Sequence, residues 1–398
     1  MELHLDPVPR AVLLVALAAV AIATLAGLAW LWPDGKAADD LHGSVQFAAE
    51  GATFPEAVVD RVRPACPPVD PSDPGGSGGS ADRSGCGTVT ATVAEGAGDG
   101  DQVTVDVPPE VATSGLAKGD RIQLLRTPTV EGQDPTYGYF GISRATPLWL
   151  VAGLFALVVL VVARWRGLMA IVGLGFAALV VGFFAIPALI TGEQPVAVAL
   201  VTGALIMFVV LYTTHGFSMR TSAALGGTLV GMLLIAGISW WAIGAAHLTG
   251  VVDQSGQALT TFAPGLQMQD LLVAAVVIAG LGILNDVTIT QASAVWELRA
   301  ASPAMSRARL FTSGMRIGRD HIASTIYTIV FAYAGTALTL LLAVSLYDRS
   351  WWELLTTEEI SEEIVRALTG SIGLVLAVPA TTAVAVLTVP GPRGSLDP

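Results

Sequence analysis

The residues best suited to chemistry lie in one apolar run, Gly280-Leu281-Gly282-Ile283-Leu284-Asn285-Asp286-Val287-Thr288-Ile289-Thr290-Gln291-Ala292-Ser293-Ala294-Val295-Trp296-Glu297. Within it Asp286, Thr290, Ser293 and Glu297 follow at i, i+4, i+7 and i+11. At about 100° per residue they fall within about 60° of one another on a helix, forming a polar stripe. A helix over 271–298 would put Asp286 near its middle, where an ionisable group in lipid is a functional candidate by default. It can bind a proton, a cation or a polar group of a solute, with Asn285 beside it on the same path. The competing reading is structural: Thr and Ser hydroxyls also tie helix bundles together. Gly282 continues the face and predicts the close approach of another backbone.

A second charged run, Arg316-Ile317-Gly318-Arg319-Asp320-His321, opens another apolar stretch. Arg316 and Asp320 have i, i+4 ion-pair spacing, and Ser324, Thr328, Gly335 and Thr339 continue from Asp320 along one face. This predicts Ser324 and Thr328 opposite the Asp286 stripe, with Arg316, Arg319, Asp320 and His321 as an inner gate. The plainer reading of His321 is a polar group snorkelling at a helix end. Towards the C-terminus, Glu359, Glu363 and Arg366 predict a charged outer mouth, or else a solvated helix face. Thr356 and Glu359 have capping-box spacing ahead of that helix.

Such residues need a membrane around them, and 53% of the chain is hydrophobic while 13% is charged. The apolar residues gather in eight blocks, near 11–32, 147–163, 168–190, 195–212, 221–246, 271–297, 322–346 and 367–389. Most have the length of a spanning helix. The first reads as an uncleaved anchor, because it is long for a leader, carries Glu2 and Asp6 before it and ends at Trp30 and Trp32. Arginine sets the orientation. Arg164, Arg166, Arg220, Arg299, Arg307, Arg309, Arg316 and Arg319 all fall on one side of an eight-helix path, which the positive-inside rule makes cytoplasmic. Both termini are then cytoplasmic.

The segment between the first two blocks is different. Of the net charge of −12, nine units come from residues 33–146, with 17 Asp and Glu against 8 Lys and Arg. So acidic a chain offers no nucleic-acid surface; the acidity serves solubility or attracts cations. Residues 43–49, 86–94, 102–107, 120–126 and 137–143 carry β-favouring or alternating patterns, and Gly98-Asp99-Gly100-Asp101 reads as a hairpin turn. Five short strands suit a small β-barrel of OB-like form. Cys66 and Cys86, on the oxidising side of the membrane, predict a disulfide around the Pro/Gly/Ser-rich excursion between them. The expected fold is an all-α polytopic membrane bundle of about eight transmembrane helices with an inserted extracytoplasmic β-domain. Its parts are an anchor (1–32), the β-rich domain (33–146), a seven-helix membrane domain (147–390) and a cytoplasmic tail (391–398).

Gly282 to Glu297, followed by Leu310-Phe311-Thr312-Ser313-Gly314-Met315-Arg316-Ile317-Gly318-Arg319-Asp320, resembles the YibE/F-like bacterial membrane proteins. Further matching elements are Thr191-Gly192-Glu193-Gln194-Pro195, His215-Gly216-Phe217, Gly370-Ser371-Ile372-Gly373 and Pro379. The resemblance covers roughly 140–389 and implies a multi-pass protein of the bacterial plasma membrane. Thr288, Thr290, Gln291 and Thr325 depart from the family pattern, and the family brings no settled activity. The residues favour a transporter or permease for a small solute, proton or cation, with an accessory or signalling protein whose β-domain meets an envelope partner as the alternative. Proteolysis by an aspartyl pair would need a second acid at the depth of Asp286, whereas Asp270, Asp320 and Asp348 fall near helix ends. Metal-site, nucleophile-elbow and cofactor motifs are absent, so neither an enzyme nor a cofactor is expected.

Overall fold

In the computed structural model the described residues are 7–36, 48–49, 51–64, 87–128, 135–346 and 350–392. Contacts divide the chain into two units, Gly43–Val158 on one hand and Met1–His42 with Val159–Pro398 on the other.

The first unit contains a five-stranded antiparallel sheet: β1 (Glu56–Val62), β2 (Thr88–Glu95), β3 (Gln102–Asp106), β4 (Arg121–Arg126) and β5 (Tyr137–Ile142). The order is β3-β2-β1-β4-β5, with a single helical turn at Pro109–Ala112 between β3 and β4. Alternation sends Ala57, Val59, Val89, Ala91, Val93, Val105, Ile122 and Leu124 into one buried cluster. The sheet curls until its edge strands β3 and β5 meet, and the Tyr137 hydroxyl donates to Asp101 across 2.8 Å. Gly98 (φ +92°) and Gly100 (φ +88°) supply the left-handed backbone of the β2–β3 turn. The strand expected at 43–49 is replaced by β1: residues 48–49 form a bend, and 43–47 lie outside the described residues. Register shifts at Glu56/Ala57 and Val59/Arg61 explain why β1 lacks clean alternation in sequence. Cys66 and Cys86 also lie outside the described residues.

The second unit is helical, apart from the part of one long helix that lies before Val159. The long helices are α1 (Pro7–Trp30), α2 (Ala145–Val180), α3 (Pro195–His215), α4 (Met219–Ala245), α5 (Met268–Ala301), α6 (Arg307–Thr336) and α7 (Glu358–Thr388). Their ends follow from local chemistry. Gln194 caps α3 ahead of Pro195, Ser218 caps α4 and Ser306 caps α6, while Gly216 at φ +78° stops α3. Among the described residues six helices are long and apolar enough to cross a membrane, or seven if α6 and the helix Leu338–Ser345, bent 60° from it, count as one crossing. The blocks expected at 147–163 and 168–190 fall in one continuous run, Ala145–Ile190. That run breaks at Arg164 (φ 54°, ψ −130°). A Cβ on Gly167 would lie 2.5 Å from the carbonyl oxygen of Val159, although a straight helix separates residues eight apart by about 12 Å. Helix α7, by contrast, passes through Pro379 without ending there.

The centre of the bundle is α4, α5 and α7 packed through small residues. A Cβ on Gly231 would meet Leu284 at 2.7 Å and Ala377 at 2.9 Å, and one on Gly227 would run into the side chain of Thr381 and reach within 3.1 Å of its Cα. Gly373 gives way to Ile235 in the same manner. In lipid, where apolar burial drives little helix association, such close contact and interhelical hydrogen bonds hold a bundle together. Gly282, expected at a close approach, faces open space instead.

Two measurements follow. Gly227→Ala is expected to destabilise the purified protein by about 1–3 kcal/mol through overpacking, seen as a lower unfolding temperature, whereas Gly282→Ala leaves that temperature unchanged. In the sheet, hydrogen bonds from Thr92 and Gln102 hold the Asp60 carboxyl below its ordinary value. A depressed folded pKa stabilises above the unfolded value and loses that contribution as pH falls below about 4. Acid unfolding of the sheet domain should therefore become less steep in Asp60→Asn.

Candidate functional site

Arginines mark one end of the bundle. Arg166 follows the break in α2, Arg220 stands in the first turn of α4, and Arg299 in the last turn of α5. The Arg10 side chain of α1 donates to the Thr388 carbonyl at the C-terminus of α7 across 2.8 Å, which satisfies one of the orphan carbonyls there. The first turn of α1 and the last turn of α7 therefore share one end of the bundle.

Asp286, Thr290 and Ser293 line one cavity of about 350 Å³ together with Arg166, His215 and Arg220. Their stripe is thus gathered on a single wall, and helix ends supply the facing wall. Three consequences follow from who those neighbours are. First, Asp286 stands level with the ends of α3 and α4, and α5 continues about 22 Å beyond it. The carboxyl therefore lies at the level where two neighbouring helices end, although it falls near the middle of its own helix. Second, the Asp286 side chain is exposed rather than buried between helices. Third, among the described residues no ion pair joins Asp286 to Arg166 or Arg220. Opposite charges stand around the cavity without closing on each other.

The remaining candidates divide. Glu297 is exposed about one turn beyond Ser293 on α5, outside the cavity, and Asn285 turns inward with its Oδ1 buried and unpartnered among the described residues. On α6, Arg316, Arg319, Asp320, His321, Ser324 and Thr328 are all exposed. The face of α6 that meets α5 is instead Gly314 and Gly318, seated on Gln291. Ser324 and Thr328 therefore do not join the Asp286 stripe, and the Thr328 hydroxyl bonds back to the Ser324 carbonyl at 3.2 Å. No ion pair links Arg316 with Asp320 among the described residues.

At the opposite end, Arg366 contacts Glu363 at 2.9 Å and Glu362 at 3.8 Å. Glu359 is exposed and outside this group, while Glu362, which the sequence reading passed over, is only 5% exposed. Burial of the i, i+4 partner was not visible in a run of four acids. The capping box does not form either: Thr357 is the N-cap of α7, and the Thr356 hydroxyl donates back to the Glu353 carbonyl at 2.9 Å. Glu363 lines a groove of about 190 Å³ with Tyr333, Leu340, Leu355 and Ile364.

Between the two ends, Ile235, Gly280, Ile283, Leu284, Tyr333 and Leu374 line a void of about 10 Å³, at or below the lower limit for one water molecule. Three polar clamps brace this region. Thr228 and Thr288 pair at 2.7 Å, Ser239 donates to Thr369 at 3.0 Å, and Gln291 donates to the Gly314 carbonyl at 2.9 Å and to Thr382 at 2.7 Å. Thr288 and Gln291 are thereby structural, which separates them from Thr290 on the cavity side.

Long apolar helices packed through glycines define an integral membrane protein of the polytopic helical class. Residues 151–391 match the family model described as YibE/F-like protein, and the chain belongs to that family. No curated protein and no solved structure matches it.

Gln291→Leu keeps the volume but strands the carbonyl and hydroxyl it serves, so an unfolding titration should show a loss of about 1–3 kcal/mol. Thr290→Val, on the open side of the same helix, should stay within about 0.5 kcal/mol of the parent.

Proposed function

We propose that this chain is a permease for a small solute or ion, with the Asp286 cavity as its inner chamber and the Glu363 groove as its outer one. The observation that carries the reading is the sequence of spaces along one bundle: a charged cavity, a dry constriction at Ile235, Leu284 and Leu374, and a second groove beyond it. A carrier that exposes its site to one side at a time needs such a closed middle between two openings, with polar groups next to the closure. Support for eight crossings comes from the break at Arg164, which divides the longest apolar run in two. An even number of crossings also brings the start of α1 and the end of α7 to the same side, as the Arg10 to Thr388 bond requires. The arginine-rich end is assigned to the cytoplasm of a bacterial cell and the Glu363 end to the outside. The strand order β3-β2-β1-β4-β5, with β3 and β5 converging and a helical turn between β3 and β4, supports reading the sheet domain as an OB-like barrel. We assign this domain to the outer face, where an envelope protein is its natural contact.

Proteoliposomes test the permease reading. The native protein should move at least one solute from a panel of protons, cations, anions and small zwitterions, and Asp286→Asn should cut that flux at least ten-fold while its unfolding temperature stays unchanged. If every solute moves at the same rate with the native protein, with Asp286→Asn and with empty vesicles, the accessory reading takes its place.

A further inference from the structure

The inner cavity brings together groups that the sequence holds far apart. Arg166 comes from the turn after the α2 break, His215 from the last residue of α3 and Arg220 from the first turn of α4, while Asp286, Thr290 and Ser293 come from one face of α5. Two permanent cations and one carboxylate surround about 350 Å³, a volume within the range of about 300–1,000 Å³ typical of small-molecule sites. Among the described residues none of the three charges is spent on an ion pair. A simple anion placed between the arginines would also face Asp286, and a simple cation at Asp286 would also face the arginines. A ligand that carries both signs meets an opposite charge at each end. The guanidinium groups can hold a carboxylate or phosphate through paired N–H donors, and the Thr290 and Ser293 hydroxyls can donate or accept between the ends.

We propose that this cavity binds a zwitterion, its anionic group held by Arg166 and Arg220 and its ammonium group by Asp286. Two sources offer that chemistry: a free solute of the cytoplasm, and the ethanolamine headgroup of a lipid in the inner leaflet. The assignment rests on the reading of this cavity as a ligand chamber. It does not need passage across the membrane, so binding without flux would fail the permease and leave this site standing, and flux of another solute without zwitterion binding would do the reverse.

Calorimetric titration of the purified full chain in detergent tests it, with phosphoethanolamine against its halves inorganic phosphate and ethanolamine, and glycine against its halves acetate and methylamine. At least one zwitterion should bind ten-fold or more tightly than either of its halves. Asp286→Asn should reduce it to the level of the anionic half and Arg220→Gln to the level of the cationic half, with both variants unfolding at the native temperature. The source is read in nanodiscs: selective retention of phosphatidylethanolamine over phosphatidylglycerol, lost in Asp286→Asn, assigns the lipid headgroup, and zwitterion binding without such retention assigns the free solute. The proposal is overturned if phosphate binds as tightly as phosphoethanolamine, if Asp286→Asn strengthens the binding of either zwitterion, or if neither zwitterion binds.

Discussion

The close packing of α4, α5 and α7 is the constraint on which the rest of the molecule depends. At Gly227, Gly231 and Gly373 there is no room for a Cβ, because Thr381, Leu284 with Ala377, and Ile235 already occupy that space. In lipid the usual gain from burying apolar surface is missing, so helices associate where they can touch closely and exchange hydrogen bonds. Glycines supply the first, and the Thr228–Thr288, Ser239–Thr369 and Gln291–Thr382 pairs supply the second. Some of the bridging hydroxyls also bond within their own helix, as Thr228 does to the Ala224 carbonyl, Thr369 to the Val365 carbonyl and Thr382 to the Val378 carbonyl. No hydroxyl of these clamps is left unpaired in the dry region.

That packing decides where charge can go. A centre this tight has no space for hydrated ions, so the charged groups lie to either side of the close packing, where desolvation costs less. Asp286 meets Arg166, His215 and Arg220 at one end, and Glu362, Glu363 and Arg366 meet at the other. Around this centre the outward faces carry large apolar side chains such as Val15, Phe183, Leu233 and Trp240, which suit a lipid surface.

Much of this was legible in the chain itself. The long apolar helices, the spacing of Asp286, Thr290 and Ser293, and the turn at Gly98 to Asp101 are local patterns, and local patterns survive folding. What the sequence withheld depends on helix rotation and on partners distant in the chain. Helix α5 is apolar on most of its circumference, so nothing local shows that Gly280 packs against Ile235 while Gly282 faces open space. The outward turn of Ser324 and Thr328 has the same origin, since Gly314 and Gly318, not the hydroxyls, choose which side of α6 approaches α5. Arg166, His215 and Arg220 each look like ordinary positive-inside residues, and only the fold places them around one carboxylate. Glu362 outranks Glu359 for a similar reason, because its burial is set by its neighbours in space.

The permease proposed above requires the stripe on α5 to border water continuous with the cytoplasm and to stop at the constriction lined by Ile235, Leu284 and Leu374. Labelling of a single cysteine at position 293, in a chain whose Cys66 and Cys86 are replaced by serine, tests this directly with a charged, membrane-impermeant thiol reagent. Ser293→Cys should react readily in inverted membrane vesicles and remain unmodified in right-side-out vesicles. Reaction from the outer side, or none from either side while a lipid-soluble maleimide still reacts, would contradict the account.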